Sequence, residues 1–147
     1  MMALLILVLT ILSATIIQRR LPDCLSDCYY SLGVFFTFAM LAIAMSMMPQ
    51  MIDITPEPYK ALAFLTCGGI AFVGAAANYK DKTTYPVHKW AALTSAVCSI
   101  AWVLVVNPLA LSALSIATVG LIDHQRWLLY CELACFAAVI LTLQHYY

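Results

Sequence analysis

Residues 61–78 read ALAFLTCGGIAFVGAAAN and residues 79–89 read YKDKTTYPVHK. In the first stretch Ala63, Cys67, Ala71 and Ala75 recur every four residues, which puts them on one face of a helix. Gly68, Gly69 and Gly74 lie beside them. Helices in lipid gain nothing from hydrophobic burial against each other, so they associate by close packing, which small residues permit. Ala63, Cys67, Gly68, Ala71, Gly74 and Ala75 are therefore expected to form the packing face of a central helix, with Ile70 turned to lipid. The second stretch carries Lys80, Lys82 and Lys89, the most basic loop of the chain. Such loops stay on the cytoplasmic side of a membrane.

Composition supports a membrane setting. Of 147 residues, 65% are hydrophobic and 10% charged, against about 25% charged in a soluble domain. One small core could not bury that much apolar surface, so lipid must act as solvent for most of it. Seven basic and seven acidic residues balance. No basic patch points to nucleic acid.

The remaining apolar runs give the architecture. Residues 1–17 are unbroken apolar sequence followed by Arg19 and Arg20. Charge after the run instead of before it is the reverse of a signal peptide, so this reads as a retained first span. A polar connector, residues 21–30, follows, with Asp23 or Ser26 placed to cap the next helix. The second span is expected over 27–48, stopping at Pro49. After a proline-rich loop comes the third span, 61–78, and then a fourth, 86–106. Asn107-Pro108 is the preferred start of a new helix, so a short fifth span, 109–122, should double back. Asp123 is placed to cap the turn into a sixth, 127–143. The fold expected is all-α, a single domain of six transmembrane helices. The alternative is five spans with the fifth segment re-entrant. Under six spans, Arg19, Arg20, Lys80, Lys82, Lys89 and Arg126 share one side and only Lys60 lies on the other. That places both termini outside.

Few residues could carry chemistry. Glu132 is the only acid inside a span. An intramembrane carboxylate is costly unless paired, protonated or near water. It reads as a ligand or proton site, or as a structural hydrogen-bonding group reaching a neighbouring helix. Asp27, His88, Asp123 and His124 gather on the cytoplasmic side with Asp23 and Asp81. Aspartate with histidine can hold zinc or act as acid and base. A membrane hydrolase would need three close ligands and usually an H-x-x-x-H pair, which is absent. Caps and headgroup contacts are the plainer use of these residues. Met45, Met47, Met48 and Met51 could offer thioethers to copper(I), but methionine is also an apolar gap filler. The six cysteines form no C-x-x-C pair. Cys24 and Cys28, expected in the cytoplasm, should stay reduced. No G-x-S-x-G, P-loop or dinucleotide fingerprint occurs, so no catalytic residue, cofactor or metal is assigned.

The segments PDCLSDCYYSLG (22–33), FLTCGGIAFVGAAANYKD (64–81) and VHKWAALTSAV (87–97) resemble a family of small uncharacterised bacterial membrane proteins. The chain departs at Cys24 and Cys28, where serine and threonine are expected. The resemblance covers about a third of the chain. It implies a six-helix bundle in the bacterial inner membrane and carries no catalytic residues. The expected function is non-catalytic: binding a lipid or hydrophobic small molecule, or serving as an accessory subunit. The alternatives are a small-solute or proton-coupled transporter using Glu132, and a cytoplasmic-face metal-dependent hydrolase.

Overall fold

The computed structural model describes residues 2–147. It is all-helical among the described residues: α1 (Met2–Gln18), α2 (Tyr29–Leu32), α3 (Val34–Ile54), α4 (Lys60–Ala75), α5 (Tyr85–Val106) and α6 (Trp127–Tyr146), with 3-10 turns between. Four stretches are long and apolar enough to cross a bilayer: Val34–Ile54, Glu57–Ala75, Tyr85–Val106 and His124–Tyr146. Met2–Gln18 and Pro108–Leu121 are apolar but shorter. These features fit an integral membrane protein.

The chain runs back and forth, and side-chain bonds tie its connectors at each end. At one end, the lysine end, Ser26 Oγ meets His88 Nε2 at 3.0 Å, Tyr30 OH donates to Asn78 Oδ1, and Arg126 Nε donates to the Leu21 carbonyl. At the opposite end Trp102 Nε1–H donates to Thr55 Oγ1 at 2.6 Å. There too, Tyr146 OH donates to the Val106 carbonyl and Tyr147 OH to Asp53 Oδ2.

Helix α4 packs against α3 on one side and α5 on the other. Two glycines set these approaches. A Cβ on Gly69 would lie 2.6 Å from Ser95 Cβ and 2.7 Å from the Ala91 carbonyl oxygen. A Cβ on Gly74 would lie 2.7 Å from Met40 Cβ. Ala63 and Cys67 are also buried, but the expected packing face needs correction. Ala75 is exposed and Ala71 only partly covered. A Cβ on Gly68 would meet nothing. Ile70, expected in lipid, is buried. The buried positions Ala63, Thr66, Cys67, Gly69, Ile70 and Gly74 cover one broad face of about 160° at 3.6 residues per turn, rotated away from Ala71 and Ala75, with α3 and α5 against it.

The second span also differs from expectation. Gly33, at φ +56°, interrupts the helix after the short α2, a backbone conformation open to glycine. Pro49 does not end α3, which continues to Ile54. Proline is tolerated in membrane helices where packing holds the following turn. Here Met51 is fully buried, and the Cys67 thiol lies 3.6 Å from its sulfur. Cys24 and Cys28, not Asp23 or Ser26, occupy the N-cap positions of the connector helices, and neither they nor Asn107 and Asp123 make a side-chain cap hydrogen bond. Asp23 pairs with Arg20 at 2.9 Å and Asp123 with Arg126 at 2.8 Å, because an arginine within reach offers a charged donor.

The fifth segment, Pro108–Leu121, is wound as a 3-10 helix of 14 residues. It lies mainly along α6 and also touches α5. Side chains three apart eclipse in this winding, and Ala110 and Ala113 are buried together.

Candidate functional site

The polar connector at the lysine end is not a surface loop. Pro22, Cys24, Leu25, Ser26, Asp27 and Cys28 are all buried. Asp27 is anchored by Arg20 Nη2 at 2.9 Å, and Gln18 Nε2 donates to the Asp27 carbonyl. His88 clamps the segment from α5. Its Nδ1 lies 3.0 Å from the Ala76 carbonyl oxygen. A carbonyl only accepts, so Nδ1 carries a proton, and in the neutral ring Nε2 accepts from the Ser26 hydroxyl. Burial raises the Cys24 thiol to about 11, with the nearby Glu132 charge adding to it. Burial raises Cys28 to about 12, with Asp27 adding. Both cysteines are free thiols.

Beneath this connector, helices α3, α4, α5 and α6 leave a cavity of about 150 Å³. That is the size of an engineered apolar cavity that holds benzene. Met40 and Met47 line it from α3, and Thr66, Ile70 and Val73 from α4. Ala92, Ser95, Ala96 and Ser99 line it from α5. Leu128, Cys131, Glu132, Cys135, Phe136 and Val139 form the α6 wall, and Leu25 of the connector closes the lysine end.

The polar groups on this apolar wall are few. Glu132 Oε2 accepts the Leu25 backbone N–H at 2.6 Å. Among the described residues no lysine, arginine or histidine pairs with it. Ser95 Oγ donates to the Thr66 carbonyl and Ser99 Oγ to the Ala96 carbonyl. Thr66 is 1% exposed, and its hydroxyl is buried without a hydrogen-bond partner.

The other residues singled out from sequence do not assemble into one site. Asp27 is held by Arg20, His88 by Ser26 and Ala76, and Asp123 by Arg126, while His124 is exposed. The hydrogen bond from Arg126, with its charge and then the Tyr130 hydroxyl helping against desolvation, holds the Asp123 carboxyl below its ordinary range. Among the described residues no three histidine, cysteine, aspartate or glutamate side chains are grouped to hold a metal. Met45 is exposed while Met47 and Met51 are buried, so the methionines do not converge. Sequence reading missed Thr66, Ser95, Ser99 and Leu25. The α6 wall had a legible signal: residues 128, 131, 132, 135, 136 and 139 follow the three-and-four spacing of one helix face around Glu132.

Fold and site together define a helical membrane protein with a small, mostly apolar cavity between its spans, carrying one carboxylate. The chain matches no protein-family model, no curated protein and no solved structure.

Proposed function

We propose that this is a six-span protein of the bacterial inner membrane, with both termini outside, that holds a lipid segment or hydrophobic small molecule between α3, α4, α5 and α6. In this reading it has no catalytic site of its own. The observation that carries the proposal is the cavity: a half-open cleft of about 150 Å³ with apolar walls, with the Thr66 hydroxyl lacking a partner. Burying a hydroxyl without a hydrogen bond is costly, and a ligand with an acceptor would remove that cost. Six crossings are supported by the two sets of tied connectors and by the charge split between them.

The test is binding of fluorobenzene to the full chain in lipid nanodiscs, followed by fluorine NMR. A saturable site that disappears in Ala96→Phe, which fills the cavity, is the expected result. Undiminished binding in that variant, or no saturable site in the parent, would refute the proposal. A second reading, transport through Glu132, rests on that carboxylate lining the cavity without a basic partner.

A further inference from the structure

A second cavity, of about 420 Å³, lies at the end opposite the lysines. Ser46, Met47 and Gln50 of α3 line it, with Gln144 of α6, Tyr147 just after it and the first turn of α1. Met47 therefore forms a wall of both cavities. The lining of α6 is continuous as well. Glu132, Cys135 and Val139 face the inner cavity, and Ile140, Leu143 and Gln144 continue along the outer one. Three- and four-residue steps keep Glu132, Cys135, Val139 and Leu143 on one helix face, with Ile140 and Gln144 beside them. Direct contact between α3 and α6 is slight, and the two cavities follow one another along these helices, with Leu25 lining the inner one at the lysine end.

We propose that the two cavities are one access route, partitioned by the Met47 side chain, which admits a small amine-bearing cation to Glu132 from the end opposite the lysines. The proposal rests on the reading of the inner cavity as a binding site and adds the direction of entry and the charge of the occupant. Methionine suits a movable partition, being unbranched and rotatable about three bonds. Polarity falls along the route, from Ser46, Gln50 and Gln144 in the outer cavity to methionine and aliphatic walls, and ends at a carboxylate. At the mouth Asp53 takes the Tyr147 hydroxyl at 2.7 Å, and the lysine of that end, Lys60, is paired with Glu57 at 2.5 Å. Among the described residues the acidic side chains of the route are thus Asp53 beside its mouth and Glu132 at its end. A protonated amine could donate to Glu132 while offering apolar body to the cavity walls. The part of the occupant that sits inside the cavity is about the size of benzene.

Cys131 and Cys135 line the inner cavity and serve as built-in reporters. The full chain in lipid nanodiscs is treated with three thiol reagents, and labelling is followed peptide by peptide in a mass spectrometer. The reagents are cationic 2-aminoethyl, anionic 2-sulfonatoethyl and neutral methyl methanethiosulfonate. The cation should label Cys135 about tenfold faster than the anion, as expected for a cleft of one charge sign. Glu132→Gln should abolish that preference. Met47→Trp should slow both charged reagents several-fold while the neutral reagent, which can enter through lipid, still labels. Met47→Ala should speed the charged reagents. Charged labelling unchanged in both Met47 variants would overturn the route, and a charge preference that survives Glu132→Gln would overturn the role of the carboxylate. If even the neutral reagent fails to reach Cys131 and Cys135 in the parent, the inner cavity cannot be occupied and the underlying binding reading falls with the route.

Discussion

Glu132 and Leu25 lie 107 residues apart and meet at 2.6 Å, the carboxylate accepting a backbone N–H from the buried connector. The lone intramembrane acid therefore fastens the segment that closes the cavity. Glutamine keeps an acceptor at this position and leucine does not. Glu132→Gln is expected to melt close to the parent in detergent. Glu132→Leu orphans a buried N–H and should lose about 1–3 kcal/mol. Equal melting of the two variants would show that the contact does not hold the connector.

Neighbouring glycines in α4 should respond in opposite ways. Gly69→Ala forces a methyl into Ser95 and the Ala91 carbonyl, and overpacking of this kind costs about 1–3 kcal/mol. Gly68→Ala meets nothing and should be neutral, or stabilising by up to about 1 kcal/mol through helix propensity. Thermal unfolding of the two variants decides, and equal losses would contradict the tight approach of α4 to α5.

At the opposite end Trp102 is 0% exposed and donates its indole N–H to Thr55. Thr55→Val keeps the shape and removes the acceptor, which should cost about 1–3 kcal/mol. In Trp102→Phe the donor is gone too. Thr55→Val should then cost much less in that background, giving a clear coupling in a double-mutant cycle.

The raised thiols of Cys24 and Cys28 predict both reactivity and pH dependence. Only the thiolate reacts with iodoacetamide. With Cys24 at about 11, roughly one part in a thousand is thiolate at pH 8, so alkylation in the native protein should be slow and should accelerate on unfolding. The folded state holds these protons more tightly than the unfolded state, whose thiols titrate near 9.0. The stability they contribute is present below pH 9 and is lost as pH rises towards 11. Fast native alkylation at pH 8, or melting temperatures unchanged from pH 8 to 10, would refute this.

Orientation can be read with fusions. A reporter active only outside the cell should work at Tyr147 and stay silent within the lysine loop, residues 80–84. The reverse pattern would invert the protein. Silence at both would favour five crossings with Pro108–Leu121 re-entrant.

The apolar runs made the helical class legible, and the four long spans fall where hydropathy places them. Exceptions arise where tertiary contacts override a local rule. Pro49 reads as a stop, yet α3 continues because Met51 is buried against α4. The four-residue repeat from Ala63 to Ala75 marks small residues but cannot reveal that α4 has two neighbours. For that reason Gly69, and not Gly68, is the tight glycine. Asp23, Ser26 and Asp123 read as caps because capping is a local rule. Arg20 and Arg126 lie only three residues from Asp23 and Asp123 and compete locally for them, whereas His88, 62 residues from Ser26, is brought there by the way the connector folds back. Glu132 stood out as the only acid expected inside a span, but a backbone N–H from Leu25 leaves no trace in residue identities.

The 3-10 winding of Pro108–Leu121 has a consequence for reach. As an α-helix its 14 residues would extend about 21 Å at about 1.5 Å per residue. At about 2.0 Å per residue they extend about 28 Å, close to the hydrocarbon thickness of about 30 Å. A segment too short by residue count thus becomes long enough by geometry. Rewinding it into an α-helix would draw its two ends together by about 7 Å, pulling Arg126 away from the Leu21 carbonyl or Asn107 inward from its end of the bundle.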